Sequence, residues 1–275
     1  MLKYIFVIFK LIIIIYSIST EEIIKKIVQN IINGKIHFLG KKIQLKNNNI
    51  TYLWESGGIN STHYFITARA IFILKKDKGL NIIKHLYQNN GIKIILEYSN
   101  MPDIDEQDKI LFIPTFKGHF YDPYTEKNYF GEYYPTAYTR FIEHYKNAII
   151  FFHKNKILSW EELGRAIHYI EDINVPHHAA NEIATFSNHA EYELWCDHYK
   201  FNYIINTTNK YDLVLNISIE NLFKKNAIHS KKYISFAKSS NSIDNDISAC
   251  ATFNYAQEIV ACIFYKFLKD VNIIS

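Results

Sequence analysis

The chain has 275 residues, enough for one large domain or two small ones around a real core. Its formal charge of +4 is unevenly placed: residues 1–53 hold eight Lys and two Glu, and residues 54–275 hold 23 basic and 25 acidic residues. The larger part therefore lacks the basic footprint of a nucleic-acid binder. Asn, Ile, Lys and Tyr are over-used, which reflects coding bias as much as function.

Residues 1–20, MLKYIFVIFKLIIIIYSIST, are expected to be a secretory signal peptide: a basic Lys3, an apolar stretch to Tyr16, then small polar residues. Lys10 interrupts the apolar run. The stretch is too short for a membrane span, because 13 helical residues reach about 20 Å against a hydrocarbon core of roughly 30 Å. Residues 21–53 combine an amphipathic EEIIKKIVQNII with a basic, Asn-rich run. By themselves they suggest an N-terminal helix packed on the domain.

Apolar residues at three- and four-residue spacing predict helices over 64–77 and 79–97, with a turn near Asp77–Gly79. SNMPDIDEQD follows, and its composition alone suggests an Asp-rich turn. The Tyr-rich run at 128–141 suits either a membrane-facing loop or packing onto the core. Two more helices are predicted over 139–155 and 159–175, the second opened by Ser159 with Glu162 at capping-box spacing. His144 and His153, on the first, are expected to be packing histidines. Further helices are expected near 219–238 and 247–270. Cys196, Cys250 and Cys262 make an odd count, so at least one is unpaired. Cys250 and Cys262 on one helix stand about 18 Å apart, too far for a disulfide. A bridge from Cys196 to either stays open. Sequons at Asn49, Asn60, Asn206 and Asn216 carry little weight in so Asn-rich a chain.

The densest chemistry lies in HYIEDINVPHHAANEIATFSNHAEYE, residues 168–193. His168 and Asp172 are four apart, as are His189 and Glu193, and on a helix each pair shares one face. Pro176 should end the first helix at or near Val175, with His178 just beyond the break. Imidazole and carboxylate are a zinc donor set that leaves room for a bound water. One such pair is commonly a solvated surface pair worth a few tenths of a kcal/mol. Two pairs bracketing Pro-x-His favour a metal.

HYIEDINVPHHAAN resembles the signature of zinc-dependent phospholipases C, His-Tyr-x-Gly-Asp-x-Asp/Asn-x-Pro-x-His-Pro/Ala-x-Asn. His168, Tyr169, Asp172, Asn174, Pro176, His178, Ala179 and Asn181 match it. Glu171 departs, standing where the family usually carries a small residue. The downstream His-x-x-x-Glu is matched by His189 and Glu193. His177 is the extra histidine by this alignment. The resemblance covers residues 54 to about 272 and implies an all-α multi-helix bundle of the zinc phospholipase C and single-strand nuclease type, which agrees with the helical periodicity.

The resemblance further implies the site. His119, His168, Asp103 and Asp172 are expected at a first zinc, and His178, His189 and Glu193 at a second. A third would take Trp54, His63 and Asp172 as a bridging carboxylate, so three Zn2+ per chain are expected. Trp54 corresponds to the family's mature N-terminus, which binds through its free amine and carbonyl. His63 follows nine residues later, one residue off the family spacing. This makes residues 21–53 a pro-segment removed at Leu53–Trp54, and 54–275 the catalytic domain. Asp103 is matched through Pro-Asp, with Asp105 a close rival, and His119 through FKGHFYDP. Asp103 is also expected to orient or deprotonate the attacking water, and Phe116 to line a headgroup pocket by cation–π attraction.

The implied activity is hydrolysis of phosphatidylcholine-type lipids to diacylglycerol and a phosphorylated headgroup by zinc-activated water. A secreted monomer acting on a phospholipid surface is expected, with no nucleic-acid partner. No separate lipid-binding domain is expected after the last helix, so membrane contact falls to the catalytic domain. Two alternatives are a zinc nuclease of the same superfamily and a non-catalytic, zinc-stabilised binding protein. The Pro-His-His-Ala-Ala-Asn run and the charge weigh against the first, and the ligand set against the second.

Overall fold

The computed structural model describes residues 61–110 and 113–274, with the backbone of 35–38, 41–46 and 49–52. The expected signal peptide, the expected cut at Leu53–Trp54 and Trp54 itself lie outside the described residues. Three strands, β1 (Lys35–Phe38), β2 (Lys41–Lys46) and β3 (Asn49–Tyr52), form an antiparallel meander, with Ile36 opposite Ile43 and Lys46 opposite Asn49. These strands were not legible in the basic, Asn-rich run.

From residue 61 onward the regular structure of the described chain is almost wholly helical. The first group is α1 (Thr62–Lys78), α2 (Leu80–Tyr87), α3 (Gly91–Tyr98) and the short α4 (Pro102–Asp105). A two-residue ladder, β4 (Lys109–Ile110) and β5 (Ile113–Pro114), precedes α5 (Ala137–Phe151) and α6 (Lys156–Asp172). Then come α7 (Pro176–Ala179), α8 (His189–Tyr199), α9 (Tyr211–Leu215), α10 (Ile219–Lys231), α11 (Ile234–Ala237) and α12 (Ser242–Asp270).

The helix ends follow local chemistry. Ser61 caps α1 by accepting from the Tyr64 amide, and Gly79, at φ +80°, closes it with its N–H on the Lys75 carbonyl. Expected residues 79–97 form two helices rather than one, because Asn89 and Asn90 both adopt left-handed backbone between α2 and α3. The expected cap at Ser159 is displaced. Asn155 caps α6 one turn earlier, and the Ser159 hydroxyl donates instead to the Ala148 carbonyl on α5. Regular helix stops at Asp172, four residues before Pro176. Val175 is already extended, as the residue before proline prefers, and Pro176 opens α7 at its first turn.

The centre of the fold is α6, which packs against α5, α3 and α12, while α12 also lies along α1. Gly164 lets α3 approach closely: a Cβ there would stand 2.7 Å from Tyr98 Cβ and 2.8 Å from the Ile95 carbonyl. Trp160, Phe141, Phe152, Phe264 and Phe267 fill the core around it. The helix α12 is long and apolar enough to cross a membrane but is mostly buried as a core helix. Cys196, Cys250 and Cys262 are free thiols, so the bridge left open by the sequence does not form.

Candidate metal centre

The last turns of α6 set the problem that the site solves. Every residue from Ala166 to Asp172 is buried, and this run includes His168, Tyr169, Glu171 and Asp172. Buried polar groups must be paired, and buried charges need a counter-charge. Helical spacing sends His168 and Asp172 to one side, where the rest of the chain delivers their partners.

Asp103 arrives on α4, and His119 on a 3-10 turn at Lys117–His119. That turn is pinned by the Gly118 amide donating to Asp108 Oδ2 at 2.7 Å, and Asp108 is held in turn by Arg140 at 2.6 Å. His119 Nδ1 lies 2.7 Å from Asp172 Oδ2 and 3.1 Å from His168 Nε2. His168 Nε2 lies 3.1 Å from the same Asp172 oxygen. Asp103 Oδ1 stands 3.8 Å from each of these two imidazole nitrogens. From the other side, α1 brings His63, whose Nε2 faces Asp172 Oδ1 at 3.5 Å and Asp103 Oδ2 at 3.7 Å. The two oxygens of Asp172 therefore face different imidazoles. Asp105, the rival to Asp103, points away and pairs with Arg165 at 2.6 Å.

A second group lies beside the first. His178 follows the turn at Pro176, and α8 carries His189 and Glu193. Glu193 Oε1 is 3.1 Å from His189 Nε2 and 3.3 Å from His178 Nε2.

The outward nitrogens decide what these imidazoles can do. His168 Nδ1 meets the Ser99 carbonyl at 2.9 Å, His119 Nε2 the Glu106 carbonyl at 3.2 Å, and His178 Nδ1 the His119 carbonyl at 2.7 Å. A carbonyl only accepts, so each of those nitrogens must carry the proton. In the neutral ring the opposite nitrogen then presents a lone pair to the carboxylates, which repels unless a proton or a cation lies between. Tetrahedral zinc with bonds of about 2.0–2.1 Å separates its ligand atoms by roughly 3.3 Å. The observed spacings of 2.7 to 3.8 Å bracket that value. The ligand atoms of His63, His168 and Asp172, of Asp103, His119 and His168, and of His178, His189 and Glu193 each fall within 4.8 Å of one another. The residues fit a cluster of zinc ions.

Burial opposes charge on Asp172, but His168, His178 and the hydrogen bond with His119 outweigh it and hold the carboxyl well below the usual range. Burial likewise opposes charge on Glu193, and His189 and His178 outweigh it. For His178, burial is outweighed by Asp172 and Glu193, which raise it, whereas burial keeps His189 low.

The model of the family described as zinc dependent phospholipase C matches residues 62–256. The chain belongs to the zinc dependent phospholipase C family. Family and donor set thus agree on zinc. The chain is 27% identical over 253 residues to a phospholipase C of Paraclostridium bifermentans, covering 81% of this chain and 62% of that protein. It is 28% identical over 214 residues to a phospholipase C of Bacillus cereus, covering 73% of this chain and 71% of the relative. Among solved structures, alpha toxin from Clostridium absonum superposes with a TM-score of 0.68 at 27% identity, over 80% of this chain and 65% of that one. This zinc phospholipase C family member therefore spans less than two thirds of the length of the clostridial proteins, and its helical fold superposes on the matched part of the solved one.

Eight of the nine expected ligand residues converge, and Trp54 lies outside the described residues. Phe116 is 3% exposed, in left-handed backbone, with its ring edge-on to His119 at 5.4 Å. It sits in a small apolar cluster with Phe120, flanked by Tyr129 and Ile183. His144 and His153 are packing histidines as expected: His144 bridges Glu162 and Glu106 at 2.8 and 3.2 Å, and His153 meets the Val271 carbonyl. His177 turns away from the carboxylates, stacked on His189 with centroids 4.7 Å apart and bonded to Asn188. In the Tyr-rich run, Tyr133 and Tyr134 are exposed while Tyr129 packs on Phe120. Glu171, which the motif marks only as a departure, is fully buried against His63. Its sequence signal was an acid at a core position of an otherwise buried helix.

Proposed function

We propose that the chain is a secreted zinc phospholipase C that cleaves phosphatidylcholine-type lipids into diacylglycerol and a phosphorylated headgroup. The observation that carries this reading is the convergence of His63, Asp103, His119, His168 and Asp172 beside His178, His189 and Glu193. His119, His168, Asp103 and Asp172 would hold one zinc, and His178, His189 and Glu193 a second. His63 and Asp172 would hold a third, completed by Trp54 through its free amine once the chain is cut after Leu53. Zinc bound there supplies Lewis-acid charge that offsets a phosphodiester's negative oxygens and acidifies water near neutral pH.

The chain's own residues do the rest. Asp172 shares its two oxygens between the His119–His168 side and the His63 side. Asp103 orients the attacking water and takes its proton as the new O–P bond forms in line with the breaking bond to glycerol oxygen. The carbonyls of Ser99, Glu106 and His119 keep three imidazoles in one tautomer throughout. Phe116, packed beside His119, is the ring whose face would attract a cationic headgroup.

The deciding experiment sets phosphatidylcholine vesicles beside single-stranded DNA as substrates, with N-terminal sequencing and zinc analysis of the secreted protein. Diacylglycerol release, Trp54 as first residue and close to three zincs are expected. DNA cleavage without lipid hydrolysis would overturn the lipase reading in favour of a nuclease. A zinc-loaded but inactive protein would point to a binding role.

A further inference from the structure

Glu171 stands on the far side of His63 from the carboxylates of Asp103 and Asp172. Its Oε2 is 2.8 Å from His63 Nδ1, and its Oε1 accepts from the Thr67 hydroxyl at 2.7 Å. Across the ring, His63 Nε2 faces Asp172 Oδ1 at 3.5 Å and Asp103 Oδ2 at 3.7 Å. The Glu171 side chain has no solvent exposure, and His63 and Thr67 are buried with it. His63 and Thr67 are one turn apart on α1, so a single carboxyl group on α6 fastens one face of α1 at two points.

His63 differs here from its neighbours. The outward nitrogens of His119, His168 and His178 are held by backbone carbonyls. A carbonyl of the main chain comes with the fold, whatever the residue, but Glu171 is a side chain that substitution can remove. Where it is ionised, a carboxyl group is also the stronger acceptor for an imidazole N–H. It selects the tautomer with its proton on Nδ1, leaves the Nε2 lone pair for a cation, and stops the ring from rotating. Burying a carboxyl group is costly unless its oxygens are satisfied, and here both are.

We propose that Glu171 is a positioning residue of the metal centre: by holding His63 Nδ1, with Thr67 as its second anchor, it sets how tightly the His63 side of the site binds zinc. The inference rests on the zinc reading above. It concerns the orientation of a ligand and assigns Glu171 no contact with substrate.

The test is a zinc titration of metal-free wild type, Glu171→Ala, Glu171→Gln and Thr67→Val, against a competing chelator dye, with far-UV circular dichroism as the control for folding. Wild type is expected to take up zinc at all its sites. Glu171→Ala should weaken one site about 10- to 100-fold and leave the others unchanged. Glu171→Gln keeps an acceptor for Nδ1–H and a partner for Thr67, and should recover that site to within a few-fold. Thr67→Val should weaken the same site several-fold. In the zinc-loaded wild type, the imidazole 15N shifts of His63 should place its proton on Nδ1.

A folded Glu171→Ala that binds every zinc with wild-type affinity overturns the inference and leaves the zinc reading standing. If Glu171→Ala does not fold, unchanged affinity in Thr67→Val overturns it equally. A wild type that takes up no zinc overturns the zinc reading, and this inference with it.

Discussion

His119 Nδ1 lies 2.7 Å from Asp172 Oδ2 although 53 positions separate the two residues. The other oxygen of Asp172 faces His63 from α1 at 3.5 Å. One carboxylate thus joins three parts of the chain that share no local sequence.

Asp172→Asn keeps the size of the side chain but loses the second anionic oxygen. We expect it to lose more than one equivalent of zinc and to lower lipid hydrolysis by more than about 100-fold, since even an outer partner of a metal ligand is worth 10- to 100-fold. Metal analysis and turnover on the folded variant check this. Full zinc and full turnover would defeat the assignment of the ligands.

Removing zinc should destabilise the protein, because the buried carboxylates of Asp103, Asp172 and Glu193 and their imidazoles then lose the cation that joins them. A ligand at 1,000 times its Kd contributes about 4 kcal/mol. For a chain of this size that corresponds to a fall in Tm on the order of 10 °C. Calorimetry before and after chelation measures it, and zinc should restore the original transition. An unchanged Tm would speak against a metal in the cluster.

Gly164→Ala offers a test of sign. In an open helix the change would stabilise by about 1 kcal/mol. Here the new methyl would meet Tyr98 Cβ at 2.7 Å and the Ile95 carbonyl at 2.8 Å. We expect destabilisation of roughly 1–3 kcal/mol. Because α3 leads into Ser99, whose carbonyl orients His168, zinc affinity should fall as well. Urea unfolding gives the sign directly.

The ion pairs of His144 predict a dependence on pH away from the metals. Burial opposes charge on His144, but hydrogen bonds to Glu106 and Glu162 outweigh it and raise its pKa to about 9. The unfolded value is about 6.5. The stabilisation is therefore complete below pH 6.5, declines as pH rises, and is lost above about 9, with a ceiling of roughly 3 kcal/mol. Burial also opposes charge on Glu106, and His144, Tyr169 and Arg140 outweigh it and hold it well below the usual range. That stabilisation is lost only as pH falls through the low value. The same pair is seen from both ends, so the two effects do not add. Urea midpoints from pH 6 to 10 should fall in wild type more than in His144→Gln. Parallel profiles would exclude the pair as a contributor.

How much could be read without coordinates divides along sequence separation. The pairs His168–Asp172 and His189–Glu193 were legible because helical geometry alone puts i and i+4 on one face. The all-helical character was legible too, from apolar spacing, and so was the break at Pro176, although regular helix stops four residues before it. The split at Asn89–Asn90 was not, because nothing in the apolar pattern marks two successive left-handed residues. The cap of α6 was missed because Ser159 has a buried partner on α5, a tertiary contact that overrides its capping preference.

The amino-acid sequence by itself determined which donors are present, which of them are locally paired, and the family they signal. Only the tertiary structure decided that Asp103 rather than Asp105 faces the imidazoles, that His177 turns away, and that Glu171 backs His63 across 108 positions. The physical reason is that backbone geometry sets neighbours within a turn. Which distant side chains meet is set by how α1, α4 and α6 bury their apolar faces together, and no spacing along the chain encodes that.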